Sequence, residues 1–479
     1  MRTMKHLLFA VVTAICTVGV CTARDSVEIY RPSNAQREYR PIVVKHCLLR
    51  QEYGGKKTKS SKTRIMNNMV GYEPISTEEY TATTNRYGSS LQLPRQRATG
   101  RFYVKQVDGR WWFVDPEGYL NIRRGVNSVR LPNGFAESRL DFMGELLSLG
   151  ITGVGAFSGD YAHVREYNQR HPERPITYAP SFNFVVGARR SAGLVYPNNN
   201  DFEYMVALIL YKEFGRAVKQ YAKSALKPYV GDKNVIGIFS DNEIPFITSK
   251  VKLLRKMLSI PEKDNQARLA AVEFMRKHGL EGSVEAFDAA TNRKQLNEEF
   301  TGMVAERYYK CCRDAIKSVD KEFLYIGSRL HSLALRTESI VRAASRYCDV
   351  VSFNYYTSWG ARTDIHMNKW EEWSSRPFMI GEFYACGLDS GLPTNTKVGA
   401  GWVVATQRER GYYYQHTALG LLEANQCVGW DWFACFDAGG SIKRNNGLFT
   451  SDGVLYREFA TYLHELNSNV YKILDYYKK

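Results

Sequence analysis

Little in these 479 residues announces a metal, a nucleotide or a membrane. The nine cysteines form no C-x-x-C pair and the nine histidines no H-E-x-x-H, the spacings that bring ligands onto one ion, so no metal or other cofactor is implied. No Gly-rich phosphate loop follows the first strand signal of the ordered part, which counts against a nucleotide-binding open sheet. After the first two dozen residues no apolar run approaches the roughly 20 residues that a membrane-spanning helix needs. Acid is the scarcer charge, 49 Asp and Glu against 65 Lys and Arg, for a formal net charge of +16. Such an excess can draw a sulfated or otherwise anionic polymer. Apart from Lys56, Lys57, Lys59, Lys62 and Arg64, however, the basic residues are spread along the chain, which reads as a solvated surface. No nucleic-acid partner is expected.

What is present begins with a removable segment. Met1 to His6 is basic, Leu7 to Cys21 is apolar, and Cys21-Thr-Ala23 supplies small residues before Arg24, the pattern of a secretory signal peptide over residues 1–23. The chain is therefore expected to be secreted or periplasmic. A lipid anchor on Cys21 is the lesser reading, because Val20 is bulky for a lipoprotein signal. Beyond the signal stand Cys47, Cys311, Cys312, Cys348, Cys386, Cys427 and Cys435, an odd set that leaves at least one thiol unpaired within the chain. Most are expected to be buried as small apolar residues. Aromatics reach 13%, which suits sugar-stacking surfaces and ordinary cores alike.

Arg24 to Arg97 is polar and irregular, with Lys56 to Lys62 reading as a mobile loop, and is taken as a short lead-in or strand-bearing appendage (residues 24–97). From about residue 98 the order is clear. Arg101 to Val107 and Arg110 to Val114 flank Asp108-Gly109, a strong hairpin signal. Strand signals then alternate with helical periodicity: Tyr119 to Arg130, Thr152 to Phe157, Ile176 to Val186, Val235 to Phe239, Phe323 to Leu330, Val350 to Tyr356, Pro377 to Glu382 and Cys427 to Phe433. Helical patterns include Phe202 to Tyr229, Glu298 to Val319, Thr337 to Tyr347, Ala405 to Asn425 and Glu458 to Tyr477, and a helix-rich insertion after strand four, Pro245 to about Asn297, is expected to shape the cleft. Eight strand-plus-helix units with right-handed crossovers favour an α/β fold closed into a (β/α)8 TIM barrel over residues 98–479.

Two strand ends carry the chemistry. Val235-Ile-Gly-Ile-Phe239 is unbroken apolar sequence, as a parallel strand covered on both faces requires, and it runs into Asp241-Asn242-Glu243. Phe378-Met-Ile-Gly-Glu382 repeats the design. Carboxylates at the C-terminal ends of two barrel strands face one cleft, and cleavage of a glycosidic bond needs such a pair. A gap of about 5–5.5 Å lets one attack directly with retention, whereas about 6.5–9.5 Å leaves room for water and inversion. Convergence from strands four and seven favours retention. Glu243 is then the acid and must hold a proton, while Glu382 must stay ionised beside donors such as Tyr356 or Arg124. Asn242 is positioned for a sugar hydroxyl. Trp432 offers a stacking ring, and Trp430, Arg124, Asn127, Asn183, Arg329 and His331 are further candidates for substrate contact, of which Arg124, Asn127, Arg329 and His331 could equally be structural.

N-E after an apolar strand, F-N-Y-Y, I-G-E-F and a Trp-bearing last strand together resemble the retaining clan-A glycoside hydrolases. More narrowly, W-W-F-V-D-P-E-G-Y, R-G-V-N-S-V, G-I-F-S-D-N-E-I, I-G-S-R-L and M-I-G-E-F-Y, in that order between about Gly100 and Phe436, resemble the β-agarase family numbered 50. The resemblance implies a TIM barrel that hydrolyses a β-linked red-algal galactan, with Glu243 as acid/base, Glu382 as nucleophile, and Asn242, Tyr356 and Trp432 in support. The chain departs from that pattern at Asp431 in the last strand. A hydrolase of the same clan acting on another β-linked glycan and a catalytically silent glycan-binding barrel are the rival readings, and the polysaccharide or oligosaccharide partner is common to all.

Overall fold

The computed structural model describes residues 39–131, 142–159, 161–197, 202–247, 252–356, 358–360, 365–394, 399–439 and 443–478. The expected signal peptide lies outside them. Val351–Asn354, Phe378–Glu382 and Cys427–Trp432 are buried along their whole length, which their uninterrupted apolar character permits only between two covering layers. They belong to a six-stranded parallel sheet in the order Thr177–Tyr178, Gly153–Val154, Arg123–Val126, Cys427–Trp432, Phe378–Glu382, Val351–Asn354. Single parallel bridges carry the pairing further: Tyr178 with Val235, Ser181 with Phe239, Ile238 with Tyr325, and Leu330 with Phe353. The chain is thus an α/β protein built on a parallel sheet.

Helices cover this sheet. Arg293–Val319 packs against Phe214–Ala225 and Glu338–Tyr347, and Gln407–Glu423 packs against Arg457–Tyr476. Thr406 caps the Gln407–Glu423 helix by accepting from the Glu409 N–H, while Glu409 reaches back to the Ala405 N–H, a variant of the capping box. Within the sheet the pleat sets direction. Asp431 turns to one face and meets Arg123 (Nε to Oδ1, 2.7 Å), both fully buried, whereas Trp430 and Trp432 turn to the other. Gly125 and Gly153 make room for that pair, since a Cβ on either would overlap Asp431 Oδ1 or the Arg123 guanidinium.

Three expectations change. Ile176 to Val186 is not one strand: Thr177–Tyr178 is a strand of the sheet, Pro180 and a single bridge at Ser181 follow, and Phe184–Ala192 is helical. An apolar run of that length satisfies either period. Phe202 to Tyr229 is likewise broken, into a 3-10 stretch Phe202–Leu210, the helix Phe214–Ala225 and a 3-10 turn Lys227–Tyr229 holding Pro228. Lys59–Thr63, which overlaps the expected mobile loop Lys56 to Lys62, is a strand antiparallel to Ile42–Leu48, which in turn pairs with Trp402–Val404. Main-chain hydrogen bonding rather than side-chain burial holds this polar edge, and only Thr63 turns inward, accepting from Trp359 Nε1 at 2.9 Å. The expected hairpin Tyr103–Val107/Arg110–Val114 forms with Asp108 and Gly109 both at positive φ, as a two-residue turn of that kind demands. No helix among the described residues is long and apolar enough to cross a membrane. The seven described cysteines are unpaired, and all but Cys311 are buried.

Candidate active site

The segment after Phe239 delivers Glu243 through a backbone turn at φ +53°, with its N–H donating to Ser328 O (3.1 Å). Arg329 (φ +56°), in the neighbouring segment, also sits in the left-handed region, and such conformations in bulky residues persist only where surrounding structure enforces them. The strand Phe378–Glu382 is in register with Val351–Asn354 so that Glu382 lies opposite Asn354. Asn354 Nδ2 then donates to Glu243 Oε1 at 2.8 Å and to Asn242 Oδ1 at 3.1 Å. Asn242 Oδ1 also accepts from Arg329 Nε (2.9 Å), and Arg329 Nη2 donates to Glu382 Oε1 (2.5 Å). A continuous hydrogen-bonded relay, Glu243, Asn354, Asn242, Arg329, Glu382, therefore ties the two carboxylates to one scaffold.

The carboxylates differ in surroundings. Glu382 is 5% exposed, and its second oxygen accepts from the Tyr356 hydroxyl at 2.7 Å. Burial pushes its pKa above the usual carboxylate value; Arg329 and the Tyr356 hydrogen bond pull the other way, and the charge of Glu243 adds to the rise. Glu243 is one-third exposed at its side chain, with His331 Nδ1 3.8 Å from its Oε1. Arg329 is fully buried, its guanidinium lying over Phe157 and Phe239.

Both carboxylates, Tyr356 and His331 line one cavity of about 670 Å³. Its remaining wall comes from Leu48 to Arg50, Ser332, Leu333 and Arg336, Tyr384, Gly399 to Gly401, Phe433 and Arg444. Gly401 has φ +117° and lies so close to the Tyr384 ring that a Cβ would approach to 2.7 Å, so the wall there must be bare backbone. None of the described residues between 245 and 297 lines this cavity, contrary to the expectation that the helix-rich stretch shapes the cleft; the N-terminal strand and the 399–401 segment do so instead.

The other candidates divide between the site and its surroundings. Asn127 is buried beneath the site, donating to Gly381 O (2.7 Å) and accepting from Arg329 Nη1 (3.4 Å). Arg124 is directed away, its guanidinium bonded to Asn467 O and Gly88 O; it gives nothing to Glu382, and Arg329 fills the role expected of it. Trp430 and Trp432 face the helices, donating to Tyr414 Oη and Asn446 O, because the alternation that points Asp431 inward points them outward. Phe433, one residue on, is the aromatic that reaches the cavity. Asn183 is exposed at the start of the Phe184–Ala192 helix and does not line it. Sequence reading missed Asn354, although it stands inside F-N-Y-Y, and Tyr384, although it ends M-I-G-E-F-Y, and missed Arg50, Arg336 and Arg444, which carry no motif.

One buried ionisable carboxyl held by two donors, and one more exposed carboxyl beside it, are what nucleophilic and general acid/base catalysis at an acetal carbon require. Among the described residues no group of three or more His, Cys, Asp or Glu could hold a metal ion.

No family model matches the chain. β-Agarase B of Vibrio sp. (strain JT0107) is 23% identical across 74% of this chain and 46% of its own length, so the chain spans about half of that relative. The crystal structure of BpGH50 has a TM-score of 0.85 and 36% identity to this chain, covering 94% of it and 98% of BpGH50. An exo-β-agarase (TM-score 0.66, 16% identity, 87% of this chain and 75% of that one) and the agarase AgWH50C (0.64, 19%, 83% and 68%) share the fold.

Proposed function

The chain belongs to glycoside hydrolase family 50, and from that premise we propose that it is a secreted retaining hydrolase of β-galactosidic linkages in an agarose-like or related red-algal galactan. The observation that carries the reading is the relay joining Glu243 to Glu382 across a single cavity. In the proposed double displacement the ionised Glu382 attacks the anomeric carbon while Glu243 gives its proton to the departing glycosidic oxygen. The resulting glycosyl ester at Glu382 is then attacked by water, whose proton returns to Glu243, and the sugar leaves with its configuration retained. Arg329 and Tyr356 hold Glu382 in its attacking orientation. Asn242 spends its oxygen on Arg329 and Asn354, which leaves its amide N–H groups for a sugar hydroxyl.

The fold proposed beneath this site is a closed (β/α)8 barrel with an insertion after its fourth strand. Supporting closure are the single parallel bridges that run outward from both edges of the six-stranded sheet through 235–239 and 325–330. The basic, apolar, small-residue order of residues 1–23 supports export.

Incubation with agarose, porphyran, carrageenan and aryl β-galactosides should give new reducing ends from at least one of them, and a silent glycan-binding barrel would give none. Glu382→Gln should abolish turnover with an unchanged circular dichroism spectrum; near-normal activity would remove the nucleophile assignment. Glu243→Ala should slow substrates with poor leaving groups far more than activated aryl glycosides. Proton NMR of the first-formed product should give the β anomer, and an α product would replace retention by inversion.

A further inference from the structure

The cavity wall carries more positive charge than the proposed reaction uses. Arg50, Arg336 and Arg444 all line it. Its two carboxylates already have their own partners: Glu382 is paired with Arg329 from behind the wall, and Glu243 stands beside His331 and Asn354. Arg50 and Arg336 form no ion pair and no side-chain hydrogen bond among the described residues, and Arg336 Nε is buried without a partner. Arg444 Nη1 donates to the Tyr384 hydroxyl at 3.0 Å, which fixes a third guanidinium at the same wall. Three arginines thus line a cavity whose buried carboxylate, Glu382, is already paired with Arg329.

Neutral sugar hydroxyls do not call for this. A hydroxyl both donates and accepts, so a neutral galactan is met by acceptors as well as donors, with amides and hydroxyls able to answer either way. A guanidinium only donates, in a planar fork matched to the paired oxygens of a sulfate or a carboxylate. Clustered cations on low-dielectric walls also focus the potential on their cavity, which favours an anion there.

We propose that the cavity takes a galactan bearing an anionic substituent, a sulfate ester or a carboxylate, on a sugar bound next to the scissile linkage, and that Arg336, with Arg50, is its specificity-determining contact. The proposal rests on reading the cavity as a galactan site. It restricts that reading to charged members of the class, and it explains why basic side chains gather where a neutral polymer would need none.

Binding to a Glu382→Gln protein separates it from the hydrolase reading. Affinities are measured calorimetrically for three oligosaccharides of equal length: a neutral agaro-oligosaccharide, one carrying sulfate esters, and one ending in a uronate. At low salt one charged ligand should bind at least about 10-fold more tightly than the neutral one, each factor of ten being about 1.4 kcal/mol. That advantage should shrink as salt rises. Arg336→Gln should bring the ratio of affinities close to one, and Arg336→Lys, which keeps the charge without the fork, should retain part of it. Which charged ligand wins names the substituent. Equal affinity for all three ligands, or a ratio unchanged in Arg336→Gln, would overturn the proposal. Failure of the hydrolase reading would appear elsewhere, as no new reducing ends from any galactan with the unaltered protein, and would leave these ratios measurable.

Discussion

Glu382 sits at a balance of opposing influences that single side chains can tip. Burial raises its pKa and Tyr356 lowers it. In the proposed double displacement the attacking carboxyl must be ionised, so kcat/KM should fall on acidification through a value above the ordinary glutamate pKa of about 4.3. Tyr356→Phe removes one lowering influence, so the acid limb should move to higher pH. The lost charge-assisted hydrogen bond, about 1.5–3 kcal/mol, should reduce kcat/KM roughly 10- to 100-fold. A pH–rate profile of the two proteins reads both effects, and an unmoved acid limb would contradict the role given to Tyr356. Asp241, two residues before Glu243, behaves differently. Burial raises its pKa to about 8, against hydrogen bonds from the Tyr308 hydroxyl and the Val185 N–H. The folded protein holds a proton that the unfolded chain releases near 3.8. Stability from this group is therefore complete below that value and is lost as pH rises toward 8, at a slope approaching about 1.4 kcal/mol per pH unit. Urea unfolding from pH 5 to 8 should follow that slope in the unaltered protein and flatten in Asp241→Asn.

At the scale of strands, the pleat explains which parts of the site were legible. The apolar runs ending in Glu243 and Glu382 announce buried strands with carboxylates at their lips, and both side chains reach the cavity. The tryptophans of C-V-G-W-D-W-F were misassigned because a strand covered on both faces is apolar whichever way each residue points, so composition cannot separate inward from outward. Asp431 held the missing information: the one charge in that strand marks its inner face, where Arg123 meets it. Arg123→Met should cost about 3–5 kcal/mol by leaving a buried carboxylate unpaired, and Arg123→Met with Asp431→Leu should recover most of it. Urea midpoints of the single and double variants test this, and additive losses would exclude the pairing as the cause. Arg329 and Asn354 were harder to read, because their partners come from segments dozens of residues away and only the strand register aligns them.

Over the whole molecule the lead-in is where sequence reading said least. Lys59–Thr63 carries no apolar side chain, yet it pairs with Ile42–Leu48, which pairs in turn with Trp402–Val404, and the Arg64–Glu423 ion pair (2.5 Å) and the Met66 N–H to Gln415 Oε1 bond (2.8 Å) fasten the end of this segment to the Gln407–Glu423 helix. Long-range main-chain pairing leaves no local periodicity to detect. Arg64→Met should destabilise by about 3 kcal/mol, since Glu423 is 5% exposed at its side chain and loses its counter-charge. It should also raise KM, because the hairpin it anchors carries Leu48, Leu49 and Arg50 to the cavity. A stability loss with KM unchanged would separate the anchor from the wall.

The antiparallel partnership of Ile42–Leu48 with Trp402–Val404 also orders events in time. These two strands stand near opposite ends of the described chain, so their pairing closes the longest loop of any strand pairing among the described residues and carries a large chain-entropy cost. The cavity wall made by Leu48 to Arg50 and 399–401 is therefore complete only once those distant segments have met.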